Sequence, residues 1–288
     1  MNNTKQHYIP RVYLSAFADP AIDGEQVWVF SSKFKKIFRQ SPGNILTEDD
    51  MYTVPFPSGE RNLILESTLA TIEGEYARVF REKIDPGQPL DQDDKAHLAR
   101  FVAAMLIRTK EAKAGMLDVN DKLLDLLTLM EKAHNITEPT SQRKALEASR
   151  ATIHQKSLWA GIPSLAKLIV KMKFGILSPE TPESRFLTSD NPCHLINPEL
   201  IAKLGADHPQ NSAGLAQRDV ELTLPLSPTK ALFAGWKLIK ETPVPFPISA
   251  QMVERVNWRT IHHAGEYIVS SSEKQLIDIV HKLESSSS

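Results

Sequence analysis

The spacing of apolar residues changes near residue 178, and this change constrains the fold more than any other feature. Between residues 61 and 177, apolar side chains recur every three or four positions, which predicts a block of packed helices. Residues 178–183 are rich in proline and polar side chains, a composition that predicts a linker. Short β-type runs then follow, at residues 185–188, 194–196, 220–224 and 230–236.

The segment before the helical block is predicted to be mostly β. Residues 27–30 and 36–39 predict a β hairpin, and residues 51–54 predict a third strand. The order of elements predicts an α+β fold, with an N-terminal β hairpin or small sheet, a central helical block and a C-terminal mixed β/α half. We expect a single domain over residues 1–284, made of parts at 7–60, 61–177 and 185–284, and a tail at 285–288.

Some helix boundaries can also be predicted. Asp91 is expected to cap a helix that runs to about residue 114. The next helix, 116–133, carries leucines at 123, 124, 126, 127 and 129, too many for one narrow stripe, so we expect it to be well buried. Ser141 is expected to cap a helix through residue 159, and Pro163 to start or kink another that ends near residue 175.

Composition excludes several classes of protein. Apolar residues make up 41% and charged residues 24%, which argues against a wholly disordered chain. The net charge of −1 provides no basic excess, so there is no strong signal for nucleic-acid binding. Cys193 is the only cysteine, so we expect no disulfide-linked partner, and this fits a reducing compartment. No secretory signal and no long apolar run is evident, which predicts a cytoplasmic protein without a membrane segment.

Ser189, Asp190 and Asn191 form the first candidate site. They follow an apolar run and precede Pro192, so a strand can end abruptly there and present polar groups at an edge or cleft. Asp190 could act in catalysis, with Ser189 and Asn191 binding substrate through neutral hydrogen bonds. The same residues also favour a simple turn, because their side chains bond to nearby backbone groups.

Four further residues could carry chemistry. Glu66 and Glu73 are seven positions apart on one predicted helix, so they share a face. They could act as metal ligands or as an acid/base pair, or else form an exposed acidic stripe. Arg108 follows an apolar run and needs a carboxylate or phosphate partner, whether to anchor a helix or to bind an anionic substrate. His7 could serve as a general base. The spacings typical of zinc sites, nucleotide-binding loops and serine hydrolases are absent from the sequence.

Four short motifs occur together in one order. They are HYIPRVYL at residues 7–14, Arg108-Thr109, TSDNP at 188–192 and PLSP at 225–228. This set resembles the bacterial family called domain of unknown function 4238, over roughly residues 7–270. The resemblance makes the motif residues candidates for a common site and implies no particular activity. Lys110, Ala104 and Glu266 stand where that family often has other residues.

Two hypotheses follow. In the first, the catalytic candidates and Arg108 converge in a cleft between the helical block and the β half, where Mg²⁺ or Mn²⁺ would assist hydrolysis of a phosphoester in a nucleotide or nucleic acid. In the second, the protein is a non-catalytic recognition or regulatory protein whose motifs are structural. Beyond these two hypotheses, the sequence identifies no cofactor and no partner. It also does not decide whether the protein is an enzyme.

Overall fold

The computed structural model describes residues 5–55, 61–136, 138–205, 213–237 and 242–286. The helices in these ranges are α1 (Arg11–Ser15), α2 (Ile64–Val79), α3 (Gln92–Ile107), α4 (Lys110–Ala133), α5 (Ser141–Arg150), α6 (Ile153–Ile169), α7 (Pro198–Leu204), α8 (Ala250–His263) and α9 (Glu273–Ser286). The strands are β1 (Lys5–His7), β2 (Val27–Ser31), β3 (Lys36–Gln40), β4 (Thr47–Asp49), β5 (Val54–Pro55), β6 (Arg61–Asn62), β7 (Lys173–Pro179), β8 (Thr188–Ser189), β9 (His194–Ile196), β10 (Glu221–Ser227), β11 (Lys230–Gly235), β12 (Thr242–Ile248) and β13 (Tyr267–Ser270).

The strands form two main sheets and two small pairs. One sheet has five strands in the order β12-β7-β11-β10-β9, with all neighbours antiparallel except the parallel pair β12 and β7. The other has four antiparallel strands in the order β3-β2-β13-β8. Strands β1 and β4 form an antiparallel pair, as do β5 and β6. The main helical block lies between the N-terminal and the C-terminal strands along the chain, and the four-stranded sheet combines strands from both ends. The fold is α+β, as predicted.

The largest hydrophobic cluster draws on every part of the chain. Tyr13 of α1, Phe101 of α3 and Leu224 of β10 all belong to it, and each is fully buried. At its centre Tyr76 of α2 stacks on Phe101, with ring centroids 3.7 Å apart and planes within 7° of parallel. The N-terminal segment, the helical block and the five-stranded sheet therefore share one core. No helix in the described ranges has both the length and the apolar character needed to cross a membrane.

Several predicted elements are confirmed and others are misplaced. The hairpin appears as β2 and β3, and Asp91 caps α3 in a capping box with Asp94. The strand predicted at 51–54 is misplaced: Met51 and Tyr52 lie in a turn between β4 and β5, and only Val54 falls within a strand, β5. The helix predicted to reach residue 114 ends at Ile107, because the Thr109 side chain accepts a hydrogen bond from the Ala112 N–H and caps a new helix.

The elements predicted between residues 141 and 183 also differ from the structure. The helix predicted from Ser141 is two helices, α5 and α6, and Thr140 rather than Ser141 caps α5. Pro163 lies inside α6. Strand β7 occupies residues that were predicted as the end of a helix and the start of a linker.

The predicted burial of α4 is wrong. Leu123, Leu126 and Leu129 are 44%, 52% and 64% exposed. The physical reason is that α4 packs against neighbouring helices on one side only, so its leucines divide between a covered face and an open one.

Candidate functional site

Arg108 lies at the C-cap of α3 and is 2% exposed. Its Nη1 donates to Glu73 Oε1 at 2.8 Å, its Nη2 to the His7 carbonyl oxygen at 2.8 Å, and its Nε to the Tyr52 hydroxyl at 3.2 Å. Burial lowers the pKa of Arg108, but Tyr52 and Glu73 outweigh this effect and leave the pKa above its ordinary value. The guanidinium therefore connects α3, α2, β1 and the turn after β4.

Strand β1 brings the other N-terminal candidates to the same region. Glu66 accepts a hydrogen bond from Gln6 Nε2 at 2.9 Å, and the Gln6 side-chain oxygen accepts one from the Tyr52 N–H at 2.6 Å. The Nε2 of His7 lies 3.1 Å from the Pro42 carbonyl oxygen, and burial lowers the pKa of His7. Glu73 and Arg108 thus meet directly. His7 reaches Arg108 through its main chain, and Glu66 joins this network through Gln6.

Asp190 has a different set of partners. Its Oδ1 accepts the Gly265 N–H at 2.8 Å, and its Oδ2 accepts the N–H groups of Glu266 at 2.7 Å and Tyr267 at 3.1 Å. Burial raises the pKa of Asp190 although these N–H groups favour its ionised form. A Cβ at residue 265 would lie 3.2 Å from Asp190 Oδ2, so glycine allows this close approach. The carboxylate therefore holds the turn that leads into β13.

Ser189 and Asn191 bond to nearby backbone. Ser189 Oγ accepts the Asn191 N–H at 3.2 Å, and Asn191 Nδ2 donates to the His263 carbonyl oxygen at 3.1 Å. No hydrogen bond or ion pair joins Asp190 to Arg108, Glu66 or Glu73 within the described residues. In the same ranges, no three His, Cys, Asp or Glu side chains form a group that could hold a metal ion.

The motifs also contact one another through Tyr13, which was not among the candidate site residues, and Asn257 holds the segment just before the third motif. The Tyr13 hydroxyl lies 2.6 Å from Thr188 Oγ1 and donates to the Pro225 carbonyl oxygen at 2.6 Å. Asn257 of α8 accepts the Leu187 N–H at 3.1 Å and donates to the Arg185 carbonyl oxygen at 2.8 Å. Tyr13 therefore ties the first motif to the third and fourth. Its place within the first motif was the signal that could have identified it.

An open groove runs between α2, α3 and α6, and none of the residues that line it belongs to the four motifs. Its volume is about 840 Å³, and a second cavity of about 490 Å³ shares Leu65 and Trp159 with it. Trp159 is 59% exposed although its neighbours are apolar. The residues that form the apolar lining of the larger part include Leu65, Ile72, Leu158, Ile162, Pro163, Ala166 and Val170.

Few polar groups in the groove are available to a ligand. Thr68 donates to the Ile64 carbonyl oxygen at 2.9 Å and Thr71 to the Ser67 carbonyl oxygen at 3.1 Å, so both hydroxyls have helical partners. Arg100 and Lys167 also line the groove. Neither has a charged partner among the described residues. The two charged side chains that line the groove and could pair with a ligand are therefore both cationic.

The family resemblance is confirmed. Residues 5–274 match the family described as Protein of unknown function (DUF4238), and the chain belongs to this family. No match was found among curated proteins or among solved structures.

Proposed function

We propose that this is a non-catalytic recognition protein whose family motifs stabilise the fold and whose ligand site is the groove between α2, α3 and α6. One contrast carries the proposal. Arg108 and Asp190 have internal partners for their charges, whereas Arg100 and Lys167 lie beside an open apolar groove without a charged partner in the described residues.

The contacts at the motifs support structural roles. A carboxylate that acts as a base or metal ligand needs lone pairs that a substrate or ion can reach. Asp190 already accepts three backbone hydrogen bonds, and displacing them would leave buried N–H groups without acceptors. Arg108 donates through all three of its nitrogens to groups of the protein. An anionic substrate would have to compete with Glu73 for the same guanidinium.

The groove supports a ligand with an apolar chain and an anionic head. Its volume falls within the range of about 300–1,000 Å³ typical of small-molecule sites. The apolar lining would bury the chain, and Trp159 would be covered in the process. Arg100 and Lys167 would then pair with a carboxylate or phosphate head. A neutral amphiphile would leave both cations without that partner.

Titration with decanoate tests the proposal. We expect a saturable binding isotherm by calorimetry and a matching change in tryptophan fluorescence, since Trp159 lies in the groove. Decanol has the same chain without the charge and should bind at least about tenfold more weakly, which corresponds to one lost charge-assisted contact. Arg100→Glu with Lys167→Glu should abolish decanoate binding.

A matched control reverses two exposed charges elsewhere. Lys33→Glu with Lys35→Glu changes the net charge by the same amount at the turn between β2 and β3, and decanoate affinity should be unchanged. Equal loss of affinity in both double variants would mean that binding follows overall charge and would contradict the groove assignment.

The second candidate function is the metal-assisted phosphoester hydrolase predicted from the sequence. The observation that favours it is the closeness of Glu73, Arg108 and the His7 main chain. It predicts hydrolysis of bis(4-nitrophenyl) phosphate with Mg²⁺ or Mn²⁺. Turnover that Glu73→Gln abolishes, in a variant that remains folded, would favour this function over recognition.

A further inference from the structure

The groove between α2, α3 and α6 continues into the second cavity, of about 490 Å³. Leu65 and Trp159 line both spaces, so the two meet at these side chains. Tyr52, Ile64 and Ala160 add apolar surface in the second cavity, and Ile64 is 57% exposed. We refer to the groove and the second cavity together as the extended groove.

A third cation lies in the second cavity. Lys156 lines this cavity, whereas Arg100 and Lys167 line the groove itself. Lys156 forms no ion pair within the part of the chain that the structure describes. Among the described residues that line the two spaces, none is acidic. Each part of the extended groove therefore has a positive charge that a ligand could neutralise.

The register of α6 sets the distance between these charges. Lys156 and Lys167 are 11 residues apart, which is about three helical turns, so they project from the same side of α6. Trp159 and Pro163 lie between them on that side. At about 1.5 Å per residue, the two lysines are separated by about 16 Å along the helix axis. An apolar stretch of this length therefore has a cation at each end.

We infer that the extended groove binds a long α,ω-dicarboxylate, with one carboxylate beside Arg100 and Lys167 and the other beside Lys156. The inference rests on the proposed function and adds a second anionic group to its ligand. The chain of an extended C12 dicarboxylate separates the two carboxyl carbons by about 14 Å, since each of its bonds adds about 1.3 Å. This length is close to the spacing of the two lysines.

The charges of the lining favour a dianion over a fatty acid. A fatty acid would pair its carboxylate with Arg100 and Lys167 and leave Lys156 without a charged partner. A second carboxylate at the other end of the chain would form a charge-assisted contact with Lys156. Without that lysine, a carboxylate beside the apolar lining would lose hydration without compensation. Lys156 is therefore the residue that we expect to determine specificity for a dianion.

Calorimetric titrations with dodecanedioate and dodecanoate test the inference, because the two ligands share a chain length and differ by one carboxylate. Both are used below the concentrations at which they form micelles. In the wild type, dodecanedioate should bind at least as tightly as dodecanoate. Lys156→Gln should lower the ratio of the two affinities at least about tenfold, which corresponds to one lost charge-assisted contact.

Two controls separate this contact from overall charge. Lys144→Gln removes one positive charge from an exposed position on α5 that lines neither space, and it should leave the ratio unchanged. Butanedioate has two carboxylates only about 4 Å apart, so it cannot extend between the lysines. It also lacks most of the apolar chain, and it should bind at least about 100-fold more weakly than dodecanedioate.

Three results would overturn the inference. The first is weaker binding of dodecanedioate than of dodecanoate to the wild type, and the second is a ratio that Lys156→Gln does not change. In both cases dodecanoate still binds, so the proposed function stands. The third is binding to phosphatidylglycerol vesicles that Lys156→Gln weakens, without binding of dodecanedioate, because the extended groove would then contact a lipid surface. If neither dodecanoate nor dodecanedioate binds, the proposed function fails and this inference fails with it.

Discussion

Replacing Arg108 by methionine is the most informative perturbation of the motif network. The change removes two hydrogen bonds of 2.8 Å, to Glu73 and to the His7 carbonyl oxygen, and one of 3.2 Å to Tyr52. Methionine preserves much of the volume and apolar surface of the arginine stem. The loss of stability therefore reports mainly on the polar contacts.

The magnitude follows from the environment of the guanidinium. Removing one partner of a buried ion pair typically costs about 3–5 kcal/mol, because the remaining charge is left without compensation. The Glu73 side chain is 24% exposed, so water can partly solvate it in the variant. The His7 carbonyl oxygen keeps the Tyr52 hydroxyl as a donor at 3.1 Å. We therefore expect the lower part of that range, about 3 kcal/mol.

Urea unfolding followed by far-ultraviolet circular dichroism measures this loss. The midpoint should fall while the slope stays near the wild-type value, because the surface exposed on unfolding is unchanged. Arg150→Met is the matched control: Arg150 also pairs with a carboxylate, that of Asp121, but both side chains are largely exposed. Its midpoint should be close to that of the wild type.

A double-mutant cycle with Glu73→Gln isolates the pair itself. The coupling free energy should reach at least about 1.5 kcal/mol, as expected for residues in one hydrogen-bonded network. The reasoning is refuted if Arg108→Met unfolds at the same urea concentration as Arg150→Met. Arg108 would then contribute little to stability, and its burial would need a functional explanation.

Three further predictions concern the other buried polar groups. Asp190→Asn should lower the free energy of unfolding by about 3 kcal/mol in urea titrations, because an amide N–H₂ would face backbone N–H donors; an unchanged midpoint would contradict the structural role. Tyr13→Phe should lower the free energy of unfolding by about 1–2 kcal/mol, because its hydroxyl contacts Thr188 and the Pro225 carbonyl oxygen. In a double-mutant cycle it should be coupled to Thr188→Val, whereas the control Phe17→Leu should not be. Burial lowers the pKa of His194 to about 3, below its unfolded value of about 6.5. Protonation of this histidine therefore costs no stability above pH 6.5, and below that pH it lowers the free energy of unfolding by up to about 1.4 kcal/mol per pH unit. His194→Leu should reduce that slope in unfolding curves taken between pH 6.5 and 4, and part of it should persist because burial also lowers the pKa of His154, to about 4.

Local patterns predicted the elements that local chemistry controls. The alternating apolar residues gave the hairpin of β2 and β3, and Asp91 with Asp94 marked the start of α3. The apolar run before Asp190 was expected to end as a strand, and β8 ends at Ser189. In each case the signal lies within a few residues of the feature it specifies.

Features that depend on distant partners were not predicted. Strand β12 contains Pro243, Pro245 and Pro247, a composition that by itself favours an irregular segment over a strand. Strand β12 lies at the edge of its sheet and pairs only with β7. Alternate residues of a strand direct their N–H groups to the same side. Three prolines at alternate positions can therefore all face the open side, where the missing N–H groups remove no hydrogen bond of the sheet. The edge position of β12 depends on tertiary pairing with β7, so it could not be predicted from the local sequence.

The site illustrates the same limit. The sequence identified Arg108 and Asp190 as buried or strand-end groups that need partners, but not which partners they have. Glu73 and the three N–H groups at residues 265–267 were brought to them by tertiary packing. The groove was missed because its lining residues come from three helices and look like an ordinary apolar face in each one.

The most direct test of the account compares decanoate binding by calorimetry in three proteins: the wild type, Arg100→Glu with Lys167→Glu, and Asp190→Asn at a temperature where it remains folded. We expect binding to be lost in the groove variant and retained in the Asp190 variant. Retention in the groove variant together with loss in folded Asp190→Asn would place the ligand at the motifs and contradict the central claim.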